Sequence, residues 1–333
     1  MYMREVKKMS KKIMFIRITT NCNAKCFMCK YAKNYYSYSI DEKKLDFILE
    51  YMKKDGNYEM VRFTGGEPLL HPKINEMIKK FSSEGFKTSI ITNGYLMPQK
   101  YDELIKNGLS QVIFSLDGSI PQIHDKARNI DGLFLKVMES IKLLREAKTQ
   151  INIRINTVAS KYNIDDLINI FNLLKKYRVD MWSIIPLKSS SILWNDGKVE
   201  YYLKKYKEFV EYVKNVENPI LLGYSKNWGG RNEEEVKELF YNNKLFRPNT
   251  KCNTVENISF YVPDLDIIVP CNCASHRIKE IETEFEGKSI SETREIMKKW
   301  LEKNGPEKCT GCEPLNVYLA ENPECLEKNI FLF

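Results

Sequence analysis

The sequence predicts an α/β fold in which six strands and their crossover helices build an open or partly closed barrel, followed by a cysteine-rich extension. Three observations carry this reading. From residue 12 to about residue 185, short β-rich runs alternate with helix-length amphipathic segments, the pattern of repeated βα units around a parallel sheet. The alternation stops after Pro186. Six of the nine cysteines then fall beyond Lys251.

The strands are expected at residues 13–19, 60–63, 87–92, 111–115, 151–157 and 181–185, and the helices between them at 41–54, 72–84, 98–107, 133–147 and 164–177. In the first helix, Leu45, Ile48, Leu49 and Met52 form the i, i+3, i+4, i+7 stripe of a helix with one buried face. Pro72 and Pro98 stand where a first-turn proline is tolerated, because the N–H it lacks has no intrahelical partner there. In a barrel of this kind the chemistry is expected on the loops at the C-terminal strand ends. Residues 1–185 are therefore read as the core. Residues 186–250 form a polar, aromatic bridge, helical around 202–215 and 233–241, and residues 251–333 an extension with a hairpin (258–262, 267–269) and a helix near 291–302.

The chain has 333 residues, 43% hydrophobic and 29% charged, which excludes a disordered chain, a collagen-like fibre or a coiled coil as its whole description. The net charge of +8 comes without a basic tail and leaves no footprint for nucleic acid. Arg4, Lys7, Lys8, Lys11 and Lys12 precede an apolar run of residues 13–16 that Arg17 ends, too short for a signal-peptide core. Charges interrupt every other apolar run well short of the ~18 residues a membrane span needs. A cytoplasmic location without membrane contact is expected, where clustered cysteines bind metal or do chemistry more often than they form disulfides.

Directly after the first strand comes Cys22-Asn23-Ala24-Lys25-Cys26-Phe27-Met28-Cys29, a C-x3-C-x2-C set. Three thiolates so close can converge on one soft metal centre, and cysteine is the usual ligand of iron–sulfur clusters. On a four-iron cubane, three cysteines leave one iron open to an outside ligand, much as a catalytic zinc keeps an open position. A zinc site borrowing a distant residue, or cysteines packed as small apolar groups, are the alternatives. At the end of the second strand stands Thr64-Gly65-Gly66-Glu67-Pro68, whose glycines permit close backbone approach and whose carboxylate can meet an ammonium group.

The triplet followed by Gly65-Gly66-Glu67-Pro68, by Thr92-Asn93-Gly94 after strand three, and by Ser115-Leu116-Asp117-Gly118 with His124-Asp125 and Arg128 after strand four, resembles the radical S-adenosylmethionine (radical SAM) superfamily. The resemblance implies a partial (βα)6 barrel, a [4Fe–4S] cluster on Cys22, Cys26 and Cys29, and SAM chelated at the open iron through its amino and carboxylate groups. Glu67 and the backbone of Gly65 and Gly66 would then hold the methionine ammonium, and Ser115 and Asn156 the methionyl or ribose part. Phe27 would lie on the adenine side or serve packing. Arg128 would neutralise the SAM carboxylate, or else pair at the surface with Asp125 or Asp131. One-electron reduction would cleave SAM to methionine and a 5′-deoxyadenosyl radical that takes a hydrogen atom from the substrate, the electron coming from a partner such as a flavodoxin or ferredoxin. His71 is expected at a helix start, and His124 in a hydrogen bond within its loop.

Cys252, Cys271, Cys273, Cys309, Cys312 and Cys325 form the second set. It resembles the twitch form of the SPASM-type extension, in which protein ligates one auxiliary [4Fe–4S] cluster completely; Cys252, Cys271, Cys309 and Cys312 match its ligands. Cys273 and Cys325 remain as ligands, hydrogen-donor thiols or free cysteines, and His276 as an unusual ligand or a surface histidine. A closed auxiliary cluster would accept the electron left on the substrate and complete a two-electron oxidation. The short stretch before the first strand leaves no leader-binding domain and favours oxidation or epimerisation of a polar small molecule of the sugar or aminocyclitol type. Residues 115–128 look more like the sulfatase-maturing and peptide-modifying branch, so peptide modification stands second. Tyr201, Tyr202, Tyr206, Trp194 and Trp228 would supply a carbohydrate or peptide platform, or a core stripe. The non-enzyme alternative is a zinc-binding interaction protein.

Overall fold

The computed structural model describes residues 12–29, 37–147, 150–185, 198–217, 220–223, 234, 258–263, 266–270, 283–285 and 287–304. Its elements run β1 (Lys12–Thr19), α1 (Glu42–Asp55), β2 (Tyr58–Gly65), α2 (Ile74–Ser83), β3 (Lys87–Thr92), α3 (Met97–Lys106), β4 (Leu109–Ser115), α4 (Pro121–Arg128), α5 (Leu133–Glu146), β5 (Asn152–Val158), α6 (Leu167–Lys176), β6 (Met181–Ile185), α7 (Val199–Lys214), β7 (Leu221–Gly223), β8 (Ile258–Val262), β9 (Ile267–Val269) and α8 (Ile290–Asn304). The strands form a single sheet in the order β7-β6-β5-β4-β3-β2-β1-β8-β9, with β7 and β9 as its unjoined edges. Every neighbouring pair is parallel except β8 with β9. This is the α/β parallel-sheet architecture of a partial barrel. Because β1 to β6 all run the same way, their C-terminal ends lie along one rim. Among the described residues no helix is long and apolar enough to cross a membrane.

Strand alternation gives the sheet two unlike faces. On one face Ile16, Phe63, Ile90, Phe114, Ile155 and Trp182 pack under the helices in the main core. Burying each such side chain contributes about 1.5–3 kcal/mol. The opposite face, the barrel interior, carries a buried polar set, Arg17, Arg62, Ser89, Gln111, Arg154 and Ser183, among the apolar Met60, Ile113 and Met181. A ladder runs across its strands, with Arg62 donating to Gln111 Oε1 (2.7 Å) and Ser89 Oγ (3.2 Å), and Gln111 Nε2 donating to Asn152 Oδ1 (2.9 Å). Near β1 and β8 the interior is closed by a second apolar cluster, in which Ile13, Phe15 and Met60 meet Phe260, Phe285 and Met297 of the C-terminal part. The Phe15 and Phe260 rings stack with centroids 4.4 Å apart.

The predicted helices fall within a few residues of those observed, and α1 starts where Asp41 accepts the Lys44 N–H at 2.8 Å. Pro98 does occupy the first turn of α3. Pro72 instead precedes α2, which begins at Ile74, and Pro68 opens a short 3-10 turn over Pro68–Leu70. Two elements were not legible. The helix α4 buries only His124 and Ala127, too few apolar positions to make a stripe. The strand β7 is three residues long and owes its place to parallel pairing with β6. The expected hairpin forms as β8 and β9, and β8 also pairs with β1, Ile13 opposite Ile258, so it extends the barrel sheet itself. The helix expected at 233–241 lies outside the described residues, apart from Glu234.

Candidate active site

The cysteine triplet sits on the loop that follows β1, at the rim. Cys22, Cys26 and Cys29 are free thiols, exposed, buried and intermediate in turn. Protein packed around the Cys22 sulfur pushes its thiol up to about 11, although the side chain keeps a solvent-facing side, and the Ala24 N–H donating to it at 3.4 Å pulls the other way. Burial pushes the Cys26 thiol up as well, opposed by the Arg128 guanidinium. A thiol held this way loses its proton most readily to a cation that binds the sulfur. Cys26 and Cys29 both act electrostatically on the Cys22 thiol, and Cys29 on that of Cys26, so the three share one locality. Among the described residues, no three Cys, His, Asp or Glu side chains converge on a point that would hold one metal ion. A single zinc gathers its thiolates within about 4 Å of each other. A cubane takes each thiolate on a different iron, so its three ligands stand farther apart than those of a single zinc.

The glycine pair explains how the loop is held. A Cβ on Gly66 would lie 2.2 Å from the Asn21 carbonyl oxygen, and one on Gly65, at φ +140°, 2.1 Å from that of Thr19. The Gly66 N–H donates to Thr19 O (2.7 Å) and the Glu67 N–H to Asn21 O (2.8 Å). The turn after β2 thus lies directly beneath the stretch that delivers Cys22, and only glycine allows that approach. On the other side, Thr20 and Tyr38 clamp the same stretch through Thr20 N–H to Tyr38 O (3.0 Å) and Tyr38 N–H to Thr20 Oγ1 (2.8 Å).

Glu67 is 1% exposed. Its Oε1 accepts the Leu69 N–H (3.0 Å) and the Thr92 hydroxyl (2.7 Å), and its Oε2 the Asn93 N–H (2.7 Å). Burial pushes its carboxyl up to about 6 against these donors. Three acceptor sites of about four are taken, leaving one for an outside donor. Asn93 carries the connection onward, its Nδ2 donating to Asn23 Oδ1 at 2.8 Å, inside the cysteine loop. The turns after β2 and β3 and the cysteine loop are therefore one hydrogen-bonded unit. Asn93 was visible only as part of a motif; its partner lies 70 positions away.

Ser115 and Asn156 stand opposite each other in the β4–β5 register, and Asn156 pairs onward with Ser183. Phe27 packs edge-on against Tyr162, with centroids 4.9 Å apart. Beside Tyr162 a cavity of about 530 Å3 is lined by Lys161, Asp165, Lys198 and Tyr201. Of the predicted aromatic platform, Tyr206 is a buried core residue, Tyr202 is buried and borders the same cavity, Tyr201 is exposed at it with its hydroxyl donating to Asp165 Oδ1 (2.6 Å), and Trp194 and Trp228 lie outside the described residues.

Arg128 is not a surface arginine. Its Nε lies 2.7 Å from Asp117 Oδ2, the two side chains being 11% and 1% exposed, and its Nη1 reaches Cys26 Sγ at 3.9 Å. Asp125 has other work, accepting the Gly132 and Phe134 N–H groups that start α5 (2.9 and 2.7 Å). Asp117 is fixed from three sides: Val158 N–H donates to its Oδ1 (2.8 Å), Asn163 Nδ2 to its carbonyl (3.0 Å), and its own N–H to His124 Nδ1 (3.0 Å). An acid at the end of an apolar strand was the available signal, since a buried carboxylate needs a cation.

His124, expected in a loop, stands on α4 and accepts its hydrogen bond from the segment after β4, so its proton sits on Nε2. Burial, then Arg128, hold its pKa down to about 3. A depressed histidine contributes stability above its ordinary pKa of 6.5 that is lost as pH falls from there towards 3. The variant His124→Asn keeps an acceptor for the Asp117 N–H but cannot take up this proton. Urea unfolding from pH 7 to 4 should show a shallower acid loss in the variant; parallel curves would exclude the assignment. His71 Nδ1 accepts the Lys73 N–H (3.2 Å) in the turn before α2, near the expected helix start. Cys252, Cys271, Cys273, Cys309, Cys312, Cys325 and His276 lie outside the described residues.

The "Radical SAM superfamily" family model matches residues 16–174, from β1 to the end of α6. The GTP 3′,8-cyclase of Clostridium botulinum (strain Hall) is 30% identical over 220 residues, 61% of this chain and 67% of the relative. The AdoMet-dependent heme synthase of Methanosarcina barkeri is 28% identical over 162 residues, 48% of this chain and 46% of the relative. The chain spans about half the length of several such curated relatives. Among solved structures, Streptococcus suis SuiB bound to S-adenosylmethionine aligns at TM-score 0.63 and 16% identity over 91% of this chain and 73% of that one. Native anSMEcpe with bound AdoMet aligns at 0.59 and 19% over 96% and 97%. These last two speak for the fold, and the sequence matches carry the family across the same strands that present the cysteine loop. The chain belongs to the radical SAM superfamily, and the cofactors that come with membership are a [4Fe–4S] cluster and S-adenosylmethionine.

Proposed function

We propose that this radical SAM enzyme oxidises or epimerises a polar small molecule, of the sugar or aminocyclitol type, bound in the barrel interior. The observation that carries the reading is the interior face itself. At its C-terminal end Ser115, Asn156 and Ser183 form a row of short polar side chains, with Arg17 and Arg154 one step below. An interior so furnished suits a substrate dense in hydroxyl or charged groups. In this reading Cys22, Cys26 and Cys29 hold the cluster. Glu67, through its remaining acceptor site, and the backbone of Gly65 and Gly66 receive the methionine ammonium. Ser115 and Asn156 face the methionyl or ribose part, and Phe27, braced by Tyr162, borders the adenine. SAM bound at the cluster supplies, on one-electron reduction, the radical that removes a hydrogen atom from the substrate. The apolar cluster around Phe15 and Phe260 keeps water from the β1–β8 side of the interior. Cys252, Cys271, Cys309 and Cys312 are assigned to an auxiliary cluster, which would take the second electron if the outcome is oxidation; Cys273 or Cys325 would donate the hydrogen atom if it is epimerisation. The reductant is of the flavodoxin or ferredoxin class.

Peptide modification is the second reading. The anSMEcpe fold has been solved with a Cp18Cys peptide, and SuiB with its precursor peptide SuiA, so this architecture accommodates peptides. The test is anaerobic incubation of reduced protein and SAM with a panel of sugars, aminocyclitols, peptides and GTP, following 5′-deoxyadenosine. A rise with a sugar or aminocyclitol is expected. A rise with peptides alone transfers the assignment to the second reading, and a colourless protein carrying zinc and forming no 5′-deoxyadenosine overturns both. In D2O, deuterium retained at carbon in the product marks epimerisation, and a ketone marks oxidation.

A further inference from the structure

We propose that Arg128 sets the reduction potential of the SAM-binding cluster by donating a hydrogen bond to the sulfur of Cys26, and that Asp117 is the positioning residue that holds it there. This rests on Cys26 being a cluster ligand. The geometry is specific. The guanidinium bridges a fully buried carboxylate, Nε to Oδ2 at 2.7 Å, and a cysteine sulfur, Nη1 to Sγ at 3.9 Å. Asp117 is itself immobilised by Val158, Asn163 and the neutral His124, so the guanidinium has little freedom to turn elsewhere. Arg128 closes α4, where Asn129, at φ 51°, turns the chain out of the helix. The planar fork can meet both partners at once, as a lysine ammonium cannot.

The physical consequence follows from charge. A cubane with three thiolates carries net negative charge, and adding one electron increases it. Hydrogen bonds to cluster sulfurs and nearby positive charge favour the reduced state, which is how proteins set such potentials. The buried setting weakens screening, so a single guanidinium in contact with the sulfur counts for more than a surface cation would. Asp117 moderates this by offsetting part of the positive charge while fixing its direction.

The test is an anaerobic dithionite titration of the reconstituted protein without SAM, in which dithionite supplies the single electron and the EPR signal of the reduced cluster is followed against potential. Iron and sulfide are counted in each sample. Arg128→Gln should hold the same iron and reduce at a lower potential, by the equivalent of roughly a tenfold change in the reduction equilibrium, about 59 mV for one electron. Arg128→Lys should recover part of the shift. Should Arg128→Gln hold no iron, the double variant Asp117→Asn/Arg128→Gln, which leaves no unpaired buried charge, carries the measurement. An unchanged potential in a variant with full iron content overturns the inference, and so does an unchanged potential accompanied by weakened SAM binding, which would return Arg128 to the SAM carboxylate. Failure of the wild type to bind iron at Cys22, Cys26 and Cys29 would instead defeat the cluster assignment beneath it.

Discussion

Gly66→Ala should lose the SAM-binding cluster while keeping the fold. The added Cβ would meet the Asn21 carbonyl at 2.2 Å and that of Thr20 at 2.6 Å, both backbone atoms of the stretch that presents Cys22. Neither can swing aside as a side-chain tip could. The strand end must therefore move by an appreciable fraction of an ångström, and the hydrogen bonds from Gly66 N–H to Thr19 and from Glu67 N–H to Asn21 go with it. Iron per chain should fall by about four, 5′-deoxyadenosine formation should vanish, and the far-ultraviolet circular dichroism should be retained. Gly85→Ala is the control. Its Cβ would meet nothing within 4 Å, although φ is +84°, so it carries about 1 kcal/mol of backbone strain without any collision. Full iron in Gly66→Ala would show that the two glycines are not what seats the cysteine loop.

Glu67→Ala should destabilise the whole rim, not merely weaken cofactor binding. Removing the carboxylate orphans three donors, the Leu69 and Asn93 N–H groups and the Thr92 hydroxyl, in a site that is 1% exposed. Each buried orphan costs about 1–3 kcal/mol. Against this stands a relief. The carboxyl is raised to about 6 from 4.5, so its contribution is fully present below pH 4.5 and lost as pH rises through 6. Ionised Glu67 therefore costs roughly 2 kcal/mol at neutral pH, which the variant regains. The orphaned donors outweigh that, and denaturant unfolding at pH 7.5 should report a net loss of several kcal/mol, with the cluster more labile because Asn93 no longer braces Asn23. Wild-type stability in the variant would mean that water or a shifted side chain satisfies the three donors.

The strand and helix order from β1 to β6 was legible because each βα unit announces itself locally. An apolar run of strand length is followed by a stripe at helical spacing, and both signals arise within a dozen or so residues. The cysteine, glycine–glutamate, asparagine and serine–aspartate segments were legible for a related reason: each sits whole on one loop, so its spacing survives in the linear chain. What could not be read were pairings across the chain. The Asn93–Asn23 bond, the Asp117–Arg128–Cys26 contact and the packing of Phe27 on Tyr162 join residues with no local signature of one another. Glu67 read as a carboxylate that can meet an ammonium group, and three of its acceptor sites proved to be taken by its own neighbours.

Local pattern thus sufficed for the order of strands and helices and for the loops that bear the motifs, since period and spacing are properties of short segments, and the resemblance of those motifs to a known family pointed to the chemistry. Which groups on those loops are already committed, and which remain to meet a cofactor or substrate, depended on contacts made only when the parallel strands brought their C-terminal ends to one rim. Arg128 shows the difference most plainly: the motif placed a cation near the site, and the folded chain aimed it at a cysteine sulfur, because a buried guanidinium settles where a carboxylate and an acceptor can hold it together.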